Sequence, residues 1–125
     1  MKTKFVAVGM RVIDLQKTID FYTKLLDMKI VGRGKLAETK GEWVELASDE
    51  NGFTLELNYY KKGSPYHAEY AVGEALDHLT FKVENLDETL KKAETAGYPA
   101  VDEHEQGNFR WAFVEDPNGI WIQFY

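Results

Sequence analysis

Residues 8–19 read VGMRVIDLQKTI and residues 79–90 read LTFKVENLDETL. Val12 matches Val83, Leu15 matches Leu86 and Thr18 matches Thr89, all at an offset of 71. Further on, DENGFTLEL (49–57) and DPNGIWIQF (116–124) share Asp, Asn and Gly at an offset of 67. Both then carry the same apolar alternation, with Glu56 in one copy where Gln123 stands in the other. Two copies are too few for a solenoid, which needs about three or more stacked units. They describe an old duplication that pairs two half-sites about a pseudo-twofold axis.

The totals set the frame. A length of 125 residues fits a single domain over 1–125, with module one at about 1–62 and module two at about 76–125. Hydrophobic residues make up 44% and charged residues 29%, the balance of a soluble globular chain. No apolar run approaches the roughly 20 residues that span a membrane. The opening MKTKFVAVGMRVID meets Arg11 and Asp14 too early for a secretory signal. Cysteine is absent, which excludes disulfides and thiolate chemistry and agrees with a cytoplasmic location. A net charge of −6 argues against nucleic acid as a partner.

Alternation predicts a strand over 5–12, with Val6, Val8, Met10 and Val12 on one face and Phe5, Ala7, Gly9 and Arg11 on the other. Asp14 reads as the N-cap of a helix over about 15–26, whose stripe is Leu15, Ile19, Tyr22 and Leu26. Strands near 28–33 and 42–47 follow. A hairpin at 49–52 comes next, where Asn-Gly accepts positive φ at little cost. The next strand places Phe53, Leu55, Leu57 and Tyr59 inside, and Thr54, Glu56 and Asn58 opposite. After a polar loop over 60–75, a strand at 77–83 carries Leu79, Phe81 and Val83 on one face and His78, Thr80 and Lys82 on the other. Asn85 and Glu88 form a capping-box pattern, Leu86, Leu90 and Ala93 make the stripe, and Gly97 is the stop. Strands near 99–103, at 109–115 and at 120–125 complete the second unit, with turns at 106–108 and 116–119.

The order is βαβββ, twice: an α+β fold of tandem modules. Each helix covers one sheet face, and the two free faces curl to enclose a cleft. The strand phases line that cleft with Ala7, Arg11, Glu56, His78, Lys82, Trp121, Gln123 and Tyr125. The offsets set Ala7 against His78 and Glu56 against Gln123. Three of these four carry donors, an imidazole, a carboxylate and an amide, and such a mixed set suits Zn, Ni, Co, Mn or Fe with positions left open for substrate. The plain alternative is a solvated Glu and a surface His.

These stretches, together with MRVIDLQKTIDFYTKLLDMKIV, FTLELNY, LDHLTFKVENLDE and AFVEDPNGIWIQFY, resemble the vicinal oxygen chelate superfamily over essentially the whole chain. That superfamily includes glyoxalase I (lactoylglutathione lyase), methylmalonyl-CoA epimerase, extradiol dioxygenases and the fosfomycin and bleomycin resistance proteins. The wording is most similar to glyoxalase I. The resemblance puts the family's four metal positions on Ala7, Glu56, His78 and Gln123. Ala7 brings no donor, and Gln123 stands where glyoxalase I has a carboxylate that moves the substrate proton. The resemblance implies a divalent metal (Ni, Co, Zn or Mn) on Glu56, His78 and Gln123, with Glu56 as the catalytic base. It implies a basic contact to the substrate's carboxylate at Arg11. Asn58 and Tyr60 lie where relatives hold glutathione, and Lys82 and Arg110 are further contacts for an anionic tail. The implied function is a glyoxalase-type lyase or isomerase acting on a small carbonyl substrate, in a homodimer.

Two other functions stay open. Without metal, the cleft is a small-molecule pocket of the bleomycin-resistance type, in which Trp121, Tyr125, Tyr59, Tyr60 and Trp43 offer ring faces to a planar or cationic ligand. Packing explains Tyr59 and Trp43 better than binding does, and the two weigh evenly for Trp121 and Tyr125. An extradiol-type dioxygenase needs a second histidine, His67 or His104, both in polar stretches that read as solvated.

Overall fold

The structure is a computed structural model that describes residues 6–37, 40–49, 52–74 and 76–125. The chain divides into two compact units, Met1–Tyr70 and Ala71–Tyr125. Unit 1 runs β1 (Ala7–Arg11), α1 (Leu15–Asp20), a π-type turn (Phe21–Leu25), β2 (Lys29–Leu36), β3 (Gly41–Ala47) and β4 (Thr54–Tyr60). Unit 2 runs β5 (His78–Phe81), α2 (Leu86–Thr95), β6 (Asp102–Gln106), β7 (Phe109–Glu115) and β8 (Trp121–Phe124). Each unit is thus βαβββ, and the fold is α+β.

Each unit holds one four-stranded mixed sheet, ordered β1-β4-β3-β2 and β5-β8-β7-β6. In both, the first and last strands are parallel neighbours and the remaining pairs are antiparallel. The register preserves the duplication. Ala7, Val8, Gly9 and Met10 pair with Thr54, Leu55, Glu56 and Leu57. His78, Leu79, Thr80 and Phe81 pair with Trp121, Ile122, Gln123 and Phe124. The offsets of 71 and 67 map the first set onto the second.

Burial identifies the core face of each sheet. In unit 1 it carries Met10, Val44, Leu46, Leu55 and Leu57, all under 9% exposed. Asp14 caps α1, its Oδ1 accepting from Lys17 N–H at 2.9 Å, and α1 packs on β4. The helix widens over Phe21–Leu25, so burial falls on Ile19, Phe21, Tyr22 and Leu25, and Leu26 is only half-buried. A wrap-around bond from Met28 N–H to Tyr22 O closes the helix, with Asp27 at φ 57. In unit 2 the core face carries Ala112, Val114, Ile122 and Phe124, each at or below 1% exposed. Asn85 Oδ1 accepts from Glu88 N–H at 3.0 Å and opens α2. At the other end Gly97, at φ 97, donates to Glu94 O while Tyr98 N–H reaches Ala93 O, a Schellman closure.

Several strand expectations are corrected. β2 extends to residue 36, and β5 ends at Phe81 rather than 83. β6 begins at Asp102, about three residues after the expected strand, because Tyr98 still serves the helix cap and Pro99 has no N–H for a ladder. Phe53, expected inside, precedes the first ladder residue of β4 and is 47% exposed. Val6, just before edge strand β1, is 59% exposed. Phe5, and Asn51 of the 49–52 hairpin, lie outside the described residues; that hairpin is closed by Gly52 N–H on Asp49 O at 3.2 Å.

Candidate functional site

The site residues lie on the face of each sheet opposite the core, and the register sorts them into rows. Unit 1 presents Gly9, Glu56, Glu45 and Gly32 in one row, and Arg11, Asn58, Trp43 and Gly34 in the next. Glu56 and Glu45 are direct register partners, two like charges on adjacent strands, an arrangement that weakens a sheet. Among the described residues, neither carboxylate takes part in a hydrogen bond or an ion pair. Trp43 lies over the glycines of β2: a Cβ on Gly34 would stand 2.8 Å from the indole and one on Gly32 3.3 Å.

Arg11, Asn58 and Tyr60 are brought together. They line a pocket of about 290 Å³ with Tyr66, His67 and Lys62, a volume near the small end of ligand pockets. Tyr60 and Tyr66 meet ring to ring at 5.6 Å. His67 is exposed, as its polar stretch implies, and its Nδ1–H donates to Tyr60 O at 3.1 Å.

In unit 2 the same face presents Thr80, Gln123, Phe113 and Asp102, the counterpart of the Gly9–Glu56–Glu45–Gly32 row, and beside it His78, Trp121 and Glu115, the counterpart of Ala7, Thr54 and Ala47. His78 Nδ1 lies 2.7 Å from Asp77 Oδ1. A carboxylate only accepts, so Nδ1 carries a proton, the way a second carboxylate commonly orients a metal-binding imidazole. Thr80 Oγ1 donates to Gln123 Oε1 at 2.9 Å, leaving that oxygen one further lone pair. Rings run continuously over this face. Phe113 meets Trp121 at 5.1 Å, His78 at 5.6 Å and His104 at 6.5 Å; His104 stacks on Trp111 at 5.1 Å; Phe109 meets Trp111 at 5.3 Å and Tyr125 at 5.6 Å.

One expected contact, Arg110, falls elsewhere. Arg110 shares the core side of β7 with Ala112 and Val114 and makes a bidentate bond to Asp87 of α2, at 2.9 and 3.3 Å. That bond and the opposite charge hold Asp87 below the ordinary carboxylate value of 3.8 and raise Arg110. Lys82 follows the end of β5 and is exposed. His104, whose Nε2 sits 2.7 Å from Asp102, is committed to that carboxylate and to Trp111.

Glu45, Trp111, Phe113, Thr80 and Asp77 were not singled out from the sequence. One signal was there: EWVEL (42–46) and RWAFV (110–114) align at an offset of 68 and set Trp43 against Trp111. Among the described residues no group of three or more His, Cys, Asp and Glu side chains is placed to hold a metal ion. Glu56, His78 and Gln123 contribute only two side chains of those kinds. Taken one by one, their donor types suit a divalent ion: a carboxylate without other partners among the described residues, an imidazole bonded to Asp77, and an amide oxygen with a lone pair to spare.

Comparison with known proteins agrees with the fold and with the repeat. The chain is 33% identical to lactoylglutathione lyase of Escherichia coli, over an alignment covering 91% of this chain and 85% of that protein. It is 30% identical to lactoylglutathione lyase of Pseudomonas aeruginosa, covering 91% and 77%. Glyoxalase I of Leishmania major superposes with a TM-score of 0.81 at 29% identity, over 98% of this chain and 86% of that one. Residues 4–124 match the family described as Glyoxalase/Bleomycin resistance protein/Dioxygenase superfamily. A duplicated βαβββ unit with parallel first and last strands, matched at that length, makes this chain a member of the glyoxalase/bleomycin resistance/dioxygenase (vicinal oxygen chelate) superfamily.

Proposed function

We propose that this chain is a glyoxalase-type lyase or isomerase. It acts on a small carbonyl substrate with an anionic tail, in the manner of lactoylglutathione lyase. The observation that carries this is Glu56. Its carboxylate sits mid-strand on the face opposite the core, half-buried and beside Gly9, with no hydrogen bond or ion pair among the described residues. A carboxylate so placed has no competing partner among the described residues.

Glu56 accepts the proton α to the carbonyl and returns it to the neighbouring carbon. A divalent metal held by Glu56, His78 and Gln123 would polarise the substrate's adjacent oxygens. Arg11 pairs with the carboxylate of the tail, while Asn58 and Tyr60 flank it in the 290 Å³ pocket. Lys82 and Trp121 are proposed as further contacts. The working form is a cytoplasmic homodimer. Among the described residues no helix is long and apolar enough to cross a membrane.

The test begins with the metal content of untagged protein by mass spectrometry, beside Ni, Co, Zn and Mn titrations, followed by hemithioacetal and epimerisation assays. The expected result is one ion per chain and turnover that falls about 10²–10⁴-fold in Glu56→Gln. Turnover unchanged in Glu56→Gln would remove this carboxylate from the reaction.

A second function is favoured by the ring ladder from Tyr125 to Trp121: metal-free binding of a planar or cationic ligand. No metal uptake, together with Trp quenching by planar cations that is lost in Trp121→Ala, would select it.

A further inference from the structure

The two outermost strands carry opposite charge. β2 is last in the first sheet and β6 last in the second, so each has a ladder edge with no strand of the described residues beyond it in its sheet. β2 reads KIVGRGKL, with Lys29, Arg33 and Lys35 and no acid. β6 reads DEHEQ, with Asp102, Glu103 and Glu105, and its single His104 is held by Asp102. Both are exposed along most of their length, and β2 also shows Ile30 at 42% and Val31 at 48%. A charged edge normally guards a sheet against its own copies. Here β2 repels β2 and β6 repels β6, but nothing guards β2 against β6.

We propose that β2 of one copy of this chain pairs with β6 of a second copy, extending one sheet into the other. The side chains are phased for it. Arg33 and Lys35 share the core side of their sheet with Val44 and Glu42, and exposed Lys35 stands 4.0 Å from the Glu42 carboxylate at the limit of an ion pair. Glu103 and Glu105 share the core side of theirs with Ala112. Joined edge to edge with core sides aligned, two cations at two-residue spacing face two carboxylates at the same spacing, which is the cross-strand pairing that stabilises sheets. On the opposite face Gly32 and Gly34 bring no side chain against Asp102 and His104. The contact joins unlike surfaces, so two copies exchange it twice or a chain of copies continues it. It is independent of the proposed activity.

Sedimentation velocity on the intact chain, at low and at molar salt, tests the pairing with Arg33→Glu/Lys35→Glu, with Glu103→Lys/Glu105→Lys and with their equimolar mixture. Wild-type protein is expected to associate at low salt and to separate as salt screens the edges. Each variant alone should associate about tenfold or more weakly. The mixture should recover association, because each variant then meets an edge of opposite charge; that recovery also shows that both remain folded. Should either double variant lose its circular dichroism spectrum, Arg33→Glu and Glu103→Lys carry the same test singly. A monomeric wild type at low salt, variants that associate as tightly as wild type, or a mixture that recovers nothing would each overturn the pairing. A dimer formed through the substrate-binding faces would survive the charge swaps, so the two are distinguishable.

Discussion

Asp116 is an acid only 4% exposed, and its carboxylate organises the last turn. Oδ1 accepts from Asn118 N–H at 2.7 Å and from Ile120 N–H at 2.9 Å, and Oδ2 accepts from Asn118 Nδ2 at 3.2 Å. Removing it orphans buried donors, so Asp116→Ala is expected to lose about 2–3 kcal/mol in denaturant unfolding; a loss within error would mean that water replaces the carboxylate. The Asp87–Arg110 pair behaves differently because it is exposed. Its carboxyl is lowered in the folded state, so the pair supports the fold above the ordinary value of 3.8 and ceases to as pH falls through the lowered one. Asp87→Asn should therefore melt slightly below wild type at neutral pH and low salt. The gap should close in strong acid and in molar salt. A gap that persists under both conditions would show that the pair acts through packing.

At the scale of elements, caps and close approaches decide where each segment ends. Gly97 closes α2 at φ 97, with open space where a Cβ would go, so Gly97→Ala should cost only the left-handed backbone term, about 1–2 kcal/mol. β2 is held differently. Its Gly34 lets Trp43 lie flat across the strand, and a Cβ there would stand 2.8 Å from the ring. Gly34→Ala is expected to cost about 1–3 kcal/mol and to shift Trp fluorescence as the indole is displaced. An unchanged spectrum would show that β2 yields instead. Both helix starts, at Asp14 and Asn85, were legible from a side-chain acceptor before an apolar stripe. The π-type widening at Phe21–Leu25 was not, because it depends on how Tyr22 seats in the core rather than on any local propensity.

At the scale of the molecule, the four positions proposed for metal fall two to a unit, Ala7 and Glu56 in one, His78 and Gln123 in the other. Ala7→His combined with Gln123→Glu restores the usual donors and is expected to raise Ni or Zn affinity about 10–100-fold by calorimetry. No gain would mean that these positions do not act together. The two copies have diverged along equivalent rows: Gly9, Glu56, Glu45 and Gly32 in one, Thr80, Gln123, Phe113 and Asp102 in the other. One row holds two carboxylates between two glycines; the other holds a hydroxyl, an amide, one ring and a carboxylate at its outer strand.

The amino-acid sequence by itself determined the βαβββ repeat, both helix caps and the faces of Ala7, Glu56, His78 and Gln123. Period-two alternation and capping chemistry are local, and a duplication repeats them at a constant offset. Only the tertiary structure decided that Glu45 stands beside Glu56, that Thr80 orients Gln123, and that Arg110 turns to Asp87. Those relations are made across strands and between strand and helix. Register sets them, and register comes from packing the core face, not from any residue's immediate neighbours.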